Sequence, residues 1–211
     1  VLGAWPRIAL LDWDNTLHQG WTLLAWCEFL WNEDLIDNGE ELSGKIRALL
    51  ADYPDGHSHD ELAVHTSELY ADARKALSPD TIRDAAKKFV TNPRRFQPYR
   101  WAEPLLRGLT RLGIAPIIIS GAPTDVLTEW AIPRSNILAA CFGLEAPNAT
   151  SVALPNEFLA AIVPGQVNPA TANGKQHMVE QLKRTKRRVV LAIGDSTSDS
   201  PLWEAAEYGI Y

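Results

Sequence analysis

Four aspartates stand in two short clusters near opposite ends of this chain: Asp12-Trp-Asp14-Asn-Thr16-Leu17 and Gly194-Asp195-Ser-Thr-Ser-Asp199. Between them lie Ser120-Gly121 and Lys175. Asp12 and Asp14 are two residues apart, so on a regular strand both face the same way. Two carboxylates roughly 4 Å apart repel by about 4 kcal/mol at an effective dielectric near 20. A divalent cation removes that repulsion. Asp195 and Asp199 can add anionic oxygens, and hard oxygen ligands with waters suit Mg²⁺. Thr16 and Ser120 offer hydroxyl donors to phosphate oxygens, and Lys175 offers a compensating positive charge. Gly121 and Gly194 let the backbone approach a ligand closely. With Asp12 as nucleophile, phosphoryl transfer divides into formation and hydrolysis of an acyl phosphate. Asp14 can then protonate the leaving alcohol and later deprotonate water.

For these groups to meet, the chain must deliver them to one crevice. Apolar runs precede three of them: Ile8–Leu11, Ile117–Ile119 and Val189–Ile193. Such runs read as buried strands of a parallel sheet, and ligands of open α/β sheets sit beyond the carboxyl ends of the strands. Helical patterns alternate with them. One runs from about Pro104 to Leu112 and ends at Gly113, and strand Ile114–Ile119 follows. Pro123-Thr-Asp125 opens a helix through Trp130, and 137–144 suggests a short strand. Asn173-Gly-Lys175 starts a further helix, Asp199–Glu207 forms another, and Gly209-Ile-Tyr211 begins a last strand. The alternation predicts an α/β fold, a doubly wound parallel sheet of Rossmann-like type.

Residues 21 to about 92 read differently. Leu23, Trp26, Cys27, Leu30 and Trp31 recur at helical spacing, as do Leu42, Ile46, Leu49 and Leu50. Ser58-His-Asp-Glu61 is a capping box, and Ser78-Pro79-Asp80 a second helix start. The expected organisation is a core of residues 1–19 and 99–211 with a helical cap at 20–98. Residues 145–173, rich in Pro, Asn, Ala and Gly, give no readable pattern.

Composition narrows the partners. The 211 residues carry a net charge of −6, which argues against nucleic acid. No apolar run reaches the roughly 18–20 residues of a membrane span, and no signal peptide is visible. The chain begins at Val1 rather than Met. Only Cys27 and Cys141 occur, too few and too far apart for a disulfide framework. A cytoplasmic location is expected. His57, His59 and His65 with Asp55 read as a solvated loop and helix face. Arg94, Arg95 and Arg100, where the cap returns to the core, read as surface, with a grip on a second anionic group as the sharper alternative. The basic run Lys183–Arg188 suits a helix C-terminus. Asn148-Ala-Thr150 matches a glycosylation acceptor that is not expected to be used.

The four segments, in this order, resemble the four motifs of the haloacid dehalogenase superfamily of phosphatases, and they span nearly the whole chain. The helical insertion resembles the cap of its phosphoserine-phosphatase-like branch. The resemblance implies Mg²⁺-dependent hydrolysis of a phosphate ester, with Asp12 as nucleophile and Asp14 as general acid and base. Thr16, Ser120, Gly121 and Lys175 would bind phosphate. Asp12, Asp195 and the backbone carbonyl of Asp14 would hold metal, with Asp199 supporting the shell. Amino-acid phosphatases of this branch carry an acid shortly after the first motif. Here the stretch is His18-Gln-Gly-Trp21-Thr22, so phosphoserine is not the expected substrate. Trp21, Trp26, Phe29 and Trp31 read as packing among the cap helices, with the sharper alternative that Trp21, and with it Trp26, grips an apolar, aromatic or cationic leaving group. The expected partner is a small phosphorylated metabolite, with no nucleic acid and no membrane; oligomeric state is left open. Transfer to an alcohol by a phosphotransferase or phosphomutase, or a non-catalytic binding module, are the alternatives.

Overall fold

The structure, a computed structural model, describes residues 6–37, 39–51, 66, 67, 70, 71, 73–130, 137–140 and 171–211. The Ser58 capping box, the three histidines at 57, 59 and 65, Cys141, Asn148 and the stretch 141–170 lie outside the described residues.

Among the described residues five strands form one parallel sheet: β1 Arg7–Leu11, β2 Ile114–Pro123, β3 Ile137–Ala140, β4 Arg188–Ile193 and β5 Tyr208–Ile210. Their spatial order is β3-β2-β1-β4-β5. The chain therefore builds outward on one side of β1, then crosses to the other, and β1 stands at the switch point. The doubly wound sheet expected from the alternation is the observed fold.

Among the described residues the helices are α1 Thr22–Asn32, α2 Gly39–Ala51, α3 Pro79–Val90, α4 Ala102–Arg111, α5 Thr124–Glu129, α6 Ala172–Arg184 and α7 Ser200–Ala205. Residues 66, 67, 70, 71, 73 and 74 are helical as well. Between β1 and β2 the described residues form no strand, as the sequence predicts for 21–92. Ser78 caps α3, its Oγ accepting from Thr81 N–H at 3.1 Å with Pro79 in the first turn. Gly113 closes α4 at φ 69°, a backbone angle that favours glycine.

β1 alternates between two apolar layers. Ala9 and Leu11 face a cluster holding Trp26, Phe29, Phe89, Phe96 and Val126. Ile8 and Leu10 face another with Ile117, Met178, Leu182 and Leu202. The first layer runs without a break from the sheet into the inserted helices, so the insertion is seated on the core rather than hung beside it. The two linkers that join it also pair: Gln19 N–H donates to Gln97 O at 3.0 Å and Tyr99 N–H to Leu17 O at 2.9 Å.

Two boundaries differ from the sequence reading, and a third, the end of β3, lies outside the described residues. β2 continues through Ser120 to Pro123 instead of stopping at Ile119, because a register shift against β3 after Ser120 keeps the chain in the sheet. The helix expected over Asp199–Glu207 is a 3-10 turn, Thr197–Asp199, followed by α7. A reciprocal capping box between Ser196 and Asp199 makes that turn, and Pro201 sits in the first turn of α7. The described part of β3 ends at Ala140.

Candidate active site

The carboxyl ends of β1, β2 and β4 open onto one cavity, lined among others by Asp12, Asp14, Ser120, Gly121, Lys175 and Asp195. These six were predicted from sequence, and the fold brings them together from four separate segments. Thr16 sits directly beneath, 4 % exposed, with its hydroxyl 3.4 Å from Asp12 Oδ2 and 3.3 Å from Asp195 Oδ1.

Asp12 follows β1 directly, and its N–H donates to Ile193 O at 2.9 Å, extending the β1–β4 ladder to the site. The turn after it is held by Trp13 O, which accepts from the N–H groups of Thr16, Leu17 and His18. Asn15 adopts φ 57°, a left-handed angle that asparagine tolerates better than most residues. Its Oδ1 accepts from Gly20 N–H at 3.0 Å and closes the loop. Ser120 Oγ accepts from Ala122 N–H at 3.0 Å, fixing the hydroxyl within the register shift.

Lys175 reaches the site from the first turn of α6, whose N-cap is Thr171. Its ammonium is 2.9 Å from Asp12 Oδ1 and 2.5 Å from Asp199 Oδ1, almost wholly out of water. Burial alone would pull its pKa down. Asp12 and Asp199 outweigh that and hold it above the usual lysine range. Asp199 is fully buried and its other oxygen, Oδ2, accepts from Asp195 N–H, Ser196 N–H and Ser196 Oγ–H at 3.1–3.2 Å. Both Asp199 oxygens are thus engaged in positioning Lys175 and the 194–196 loop.

Asp12, Asp195 and Asp199 each present a carboxylate oxygen, all within 4.8 Å of one another. Burial pushes Asp12 up to about 7 against the pull of Lys175, with Asp199 adding to the rise. Asp195 is raised too, by burial and by Asp199. Asp14 lies outside this trio. Burial lifts it to about 6, while two hydrogen bonds from Thr22 hold it down. Hard, mutually repelling oxygens of this kind are the donor set of a small divalent cation.

Of the two tryptophans read as substrate contacts, only Trp21 lines the cavity. Trp26 is fully buried. Its Nε1–H donates to Tyr70 Oη at 2.6 Å, and its ring packs on Phe29 and Phe89, so it belongs to the core of the insertion. Arg94, Arg95 and Arg100 do not line the cavity.

Other lining residues were not singled out from sequence: Asn15, Leu23, Thr66, Ser67, Ser196 and Ser198. Three of these stand inside the motif loops, where position alone could have flagged them. Thr66, Tyr70 and Arg74 recur at a spacing of four, and all three are buried. That face carries Arg74 to Asp125 in α5, a bidentate ion pair at 3.1 and 3.3 Å joining the insertion to the sheet domain. Thr22, discussed below, gives no local signal.

The fold and this crevice define a Rossmann-like α/β protein whose chemistry centres on carboxylates at the switch point. The chain belongs to the haloacid dehalogenase-like hydrolases, the family that residues 9–204 match. Comparison with curated proteins gives no significant match. Among solved structures, the chain is similar to a Bordetella pertussis protein of unknown function, with TM-score 0.67, 19% identity and coverage of 96% of this chain and 88% of that one. It is similar to a phosphoserine phosphohydrolase-like protein from Francisella tularensis, with TM-score 0.57, 17% identity and coverage of 94% and 82%. A phosphoserine phosphatase in a phospho-aspartyl intermediate analogue form gives TM-score 0.50, 16% identity and coverage of 97% and 92%. These likenesses are of fold, and they agree with the phosphoserine-phosphatase-like branch expected from the motifs. No described helix is long and apolar enough to cross a membrane.

Proposed function

We propose that the protein is a Mg²⁺-dependent phosphatase of a small phosphomonoester, working through a phosphoryl group carried on Asp12. The observation that carries this reading is the meeting of Asp12, Asp14, Ser120, Lys175 and Asp195 around one open cavity.

The carboxylate trio fits a divalent cation by its donor type and by the closeness of its oxygens. Asp12 and Asp195, with the backbone carbonyl of Asp14, are the proposed ligands. Asp199 supports them through Lys175 and the 194–196 loop. When bound, the ion supplies charge neutralisation for a phosphate dianion approaching an anionic nucleophile. Thr16, Ser120, Lys175 and the backbone at Gly121 hold the phosphoryl oxygens. A carboxylate oxygen of Asp12 attacks phosphorus as the ester oxygen leaves. Asp14 gives its proton to that oxygen, then takes one from the water that hydrolyses the acyl phosphate. Burial suits Asp14 to both tasks, since a carboxyl raised to about 6 exchanges protons near neutral pH.

On the leaving-group side the cavity presents Trp21, Leu23, Thr66 and Ser67 from the insertion. That lining supports a small alcohol with apolar surface as the leaving group, and a cellular, cytoplasmic metabolite as the substrate.

The test is phosphate release over sugar, nucleotide, alcohol and amino-alcohol phosphates, with Mg²⁺ and with EDTA. Release that requires Mg²⁺ and disappears in Asp12→Asn is the expected result. Movement of the phosphoryl group to an added alcohol without free phosphate would identify a phosphotransferase instead.

A further inference from the structure

We propose that Thr22 is a positioning residue for Asp14, its hydroxyl forced to donate to that carboxylate by two neighbours; the inference rests on the phosphatase reading above.

α1 begins at Thr22, and its N-cap, Trp21, makes no side-chain hydrogen bond to the helix. Asp14 takes that part from outside. Its Oδ1 accepts the Thr22 N–H at 3.0 Å and the Thr22 hydroxyl at 2.5 Å. The hydroxyl is fully buried, and it has one proton and two lone pairs. Trp13 Nε1–H, which can only donate, occupies one lone pair at 2.8 Å. His18 offers the hydroxyl no acceptor. Its Nε2 accepts from the Gln97 N–H at 2.9 Å, so the neutral ring carries its proton on Nδ1, which lies 3.3 Å from Thr22 Oγ1 and also hydrogen-bonds the Gly20 backbone. Since Trp13 Nε1–H and His18 Nδ1–H are both donors, the Thr22 proton has Asp14 Oδ1 as its acceptor.

The result is a carboxylate held at one oxygen by two donors from the insertion, with Oδ2 as the oxygen that can exchange a proton with a leaving group. His18 stacks between Trp13 and Phe96, at ring separations of 5.6 and 4.9 Å, which fixes the imidazole in its tautomer-defining place. Both linkers of the insertion, through Thr22 on the way in and Gln97 on the way out, thereby hold the acid in place.

The experiment compares kcat/KM of the native protein, Thr22→Val and Thr22→Ser on two esters. One is 4-nitrophenyl phosphate, whose leaving group departs as a stable anion. The other is the alkyl phosphate turned over fastest in the substrate screen, whose leaving group needs a proton. Because kcat/KM ends at the first irreversible step, hydrolysis of the acyl phosphate, common to both, drops out. A positioned acid supplies about 10²–10⁴-fold, so Thr22→Val is expected to lower kcat/KM about 10- to 100-fold on the alkyl ester and only about 3-fold on the aryl one. Thr22→Ser, which keeps the hydroxyl, is expected to restore the alkyl rate. If Thr22→Val does not fold, Thr22→Ala, which removes the hydroxyl without adding a methyl group in its place, is expected to give the same split. Equal losses on both esters, or none, overturn the proposal while the native protein still releases phosphate. Native turnover of aryl esters alone overturns it too, by removing the need for an acid. Absence of any native turnover overturns the phosphatase reading, and this inference with it.

Discussion

Asp199 shows how a single buried carboxylate organises its surroundings. It sits against Gly194, where an added Cβ would lie 2.4 Å from Asp199 Cγ and 2.6 Å from its Oδ2. Gly194→Ala is therefore expected to push Asp199 off the N–H groups of Asp195 and Ser196 and off Lys175. Overpacking of this kind costs about 1–3 kcal/mol. At this chain length each kcal/mol lowers the melting temperature by about 2–4 °C. Calorimetry is expected to show that fall, and a phosphate-release assay a loss of activity larger than the fall alone explains. Native activity in Gly194→Ala would contradict the role given to this contact. The acidic and hydroxyl residues of the site were legible because their types and order carry the chemistry themselves. Thr22 and His18 were not. Their importance lies in contacts with Asp14, Trp13 and Gln97 that leave no periodic trace. Trp26 was misplaced for the converse reason: a tryptophan on a helix face has the same letter whether it lines a cavity or fills a core.

At the scale of elements, α6 exists to present Lys175, and its start was read one residue late. The cap residue is Thr171, whose Oγ1 accepts from Gly174 N–H at 2.9 Å, while its carbonyl takes the Lys175 N–H at 2.9 Å. The sequence signal was masked by its setting at the end of a Pro-, Asn- and Gly-rich run. Losing such a cap costs about 0.5–2 kcal/mol. Thr171→Ala is expected to fray the turn that carries Lys175 and so to weaken competitive inhibition by inorganic phosphate, with a matching rise in KM. Unchanged phosphate inhibition would show that Lys175 does not depend on this cap. The strands were the most readable elements, since each is a short β-branched or leucine-rich run ending at a polar motif. β2 ran further than expected because continuation past Ser120 depends on β3, a partner not visible in the local sequence.

Taken as a whole, the molecule gathers charges that resist ionisation, and this sets how its stability responds to pH. Burial pushes Asp12 up to about 7 and Asp14 up to about 6, from ordinary values of 3.8. Between those limits the folded chain keeps protons that the unfolded chain releases, so their contribution to stability is full at low pH and lost as pH rises through about 6–7. His18 acts in the opposite sense. Burial lowers it to about 4, so the unfolded chain binds a proton the folded one refuses, and stability recovers as pH climbs from about 4 to 6.5. Two carboxylates outweigh one imidazole. Without metal, the melting temperature is expected to fall between pH 5 and 7.5, roughly the span of these titrations. The fall is expected to shrink in Asp12→Asn and in the presence of Mg²⁺. A profile that is flat in EDTA and unaltered by Mg²⁺ would argue against a cation among these carboxylates.

Arg74 and Asp125 join the inserted helices to α5, and Arg74 is only 4 % exposed. Any outward swing of the inserted helices must separate this pair and return both ions to water. The two groups thus act as a clasp between the inserted helices and α5. Once parted, their attraction reaches only about 10 Å at 0.1 M salt, so dissolved ions favour the unclasped arrangement and quicken the exchange of ligand with solvent.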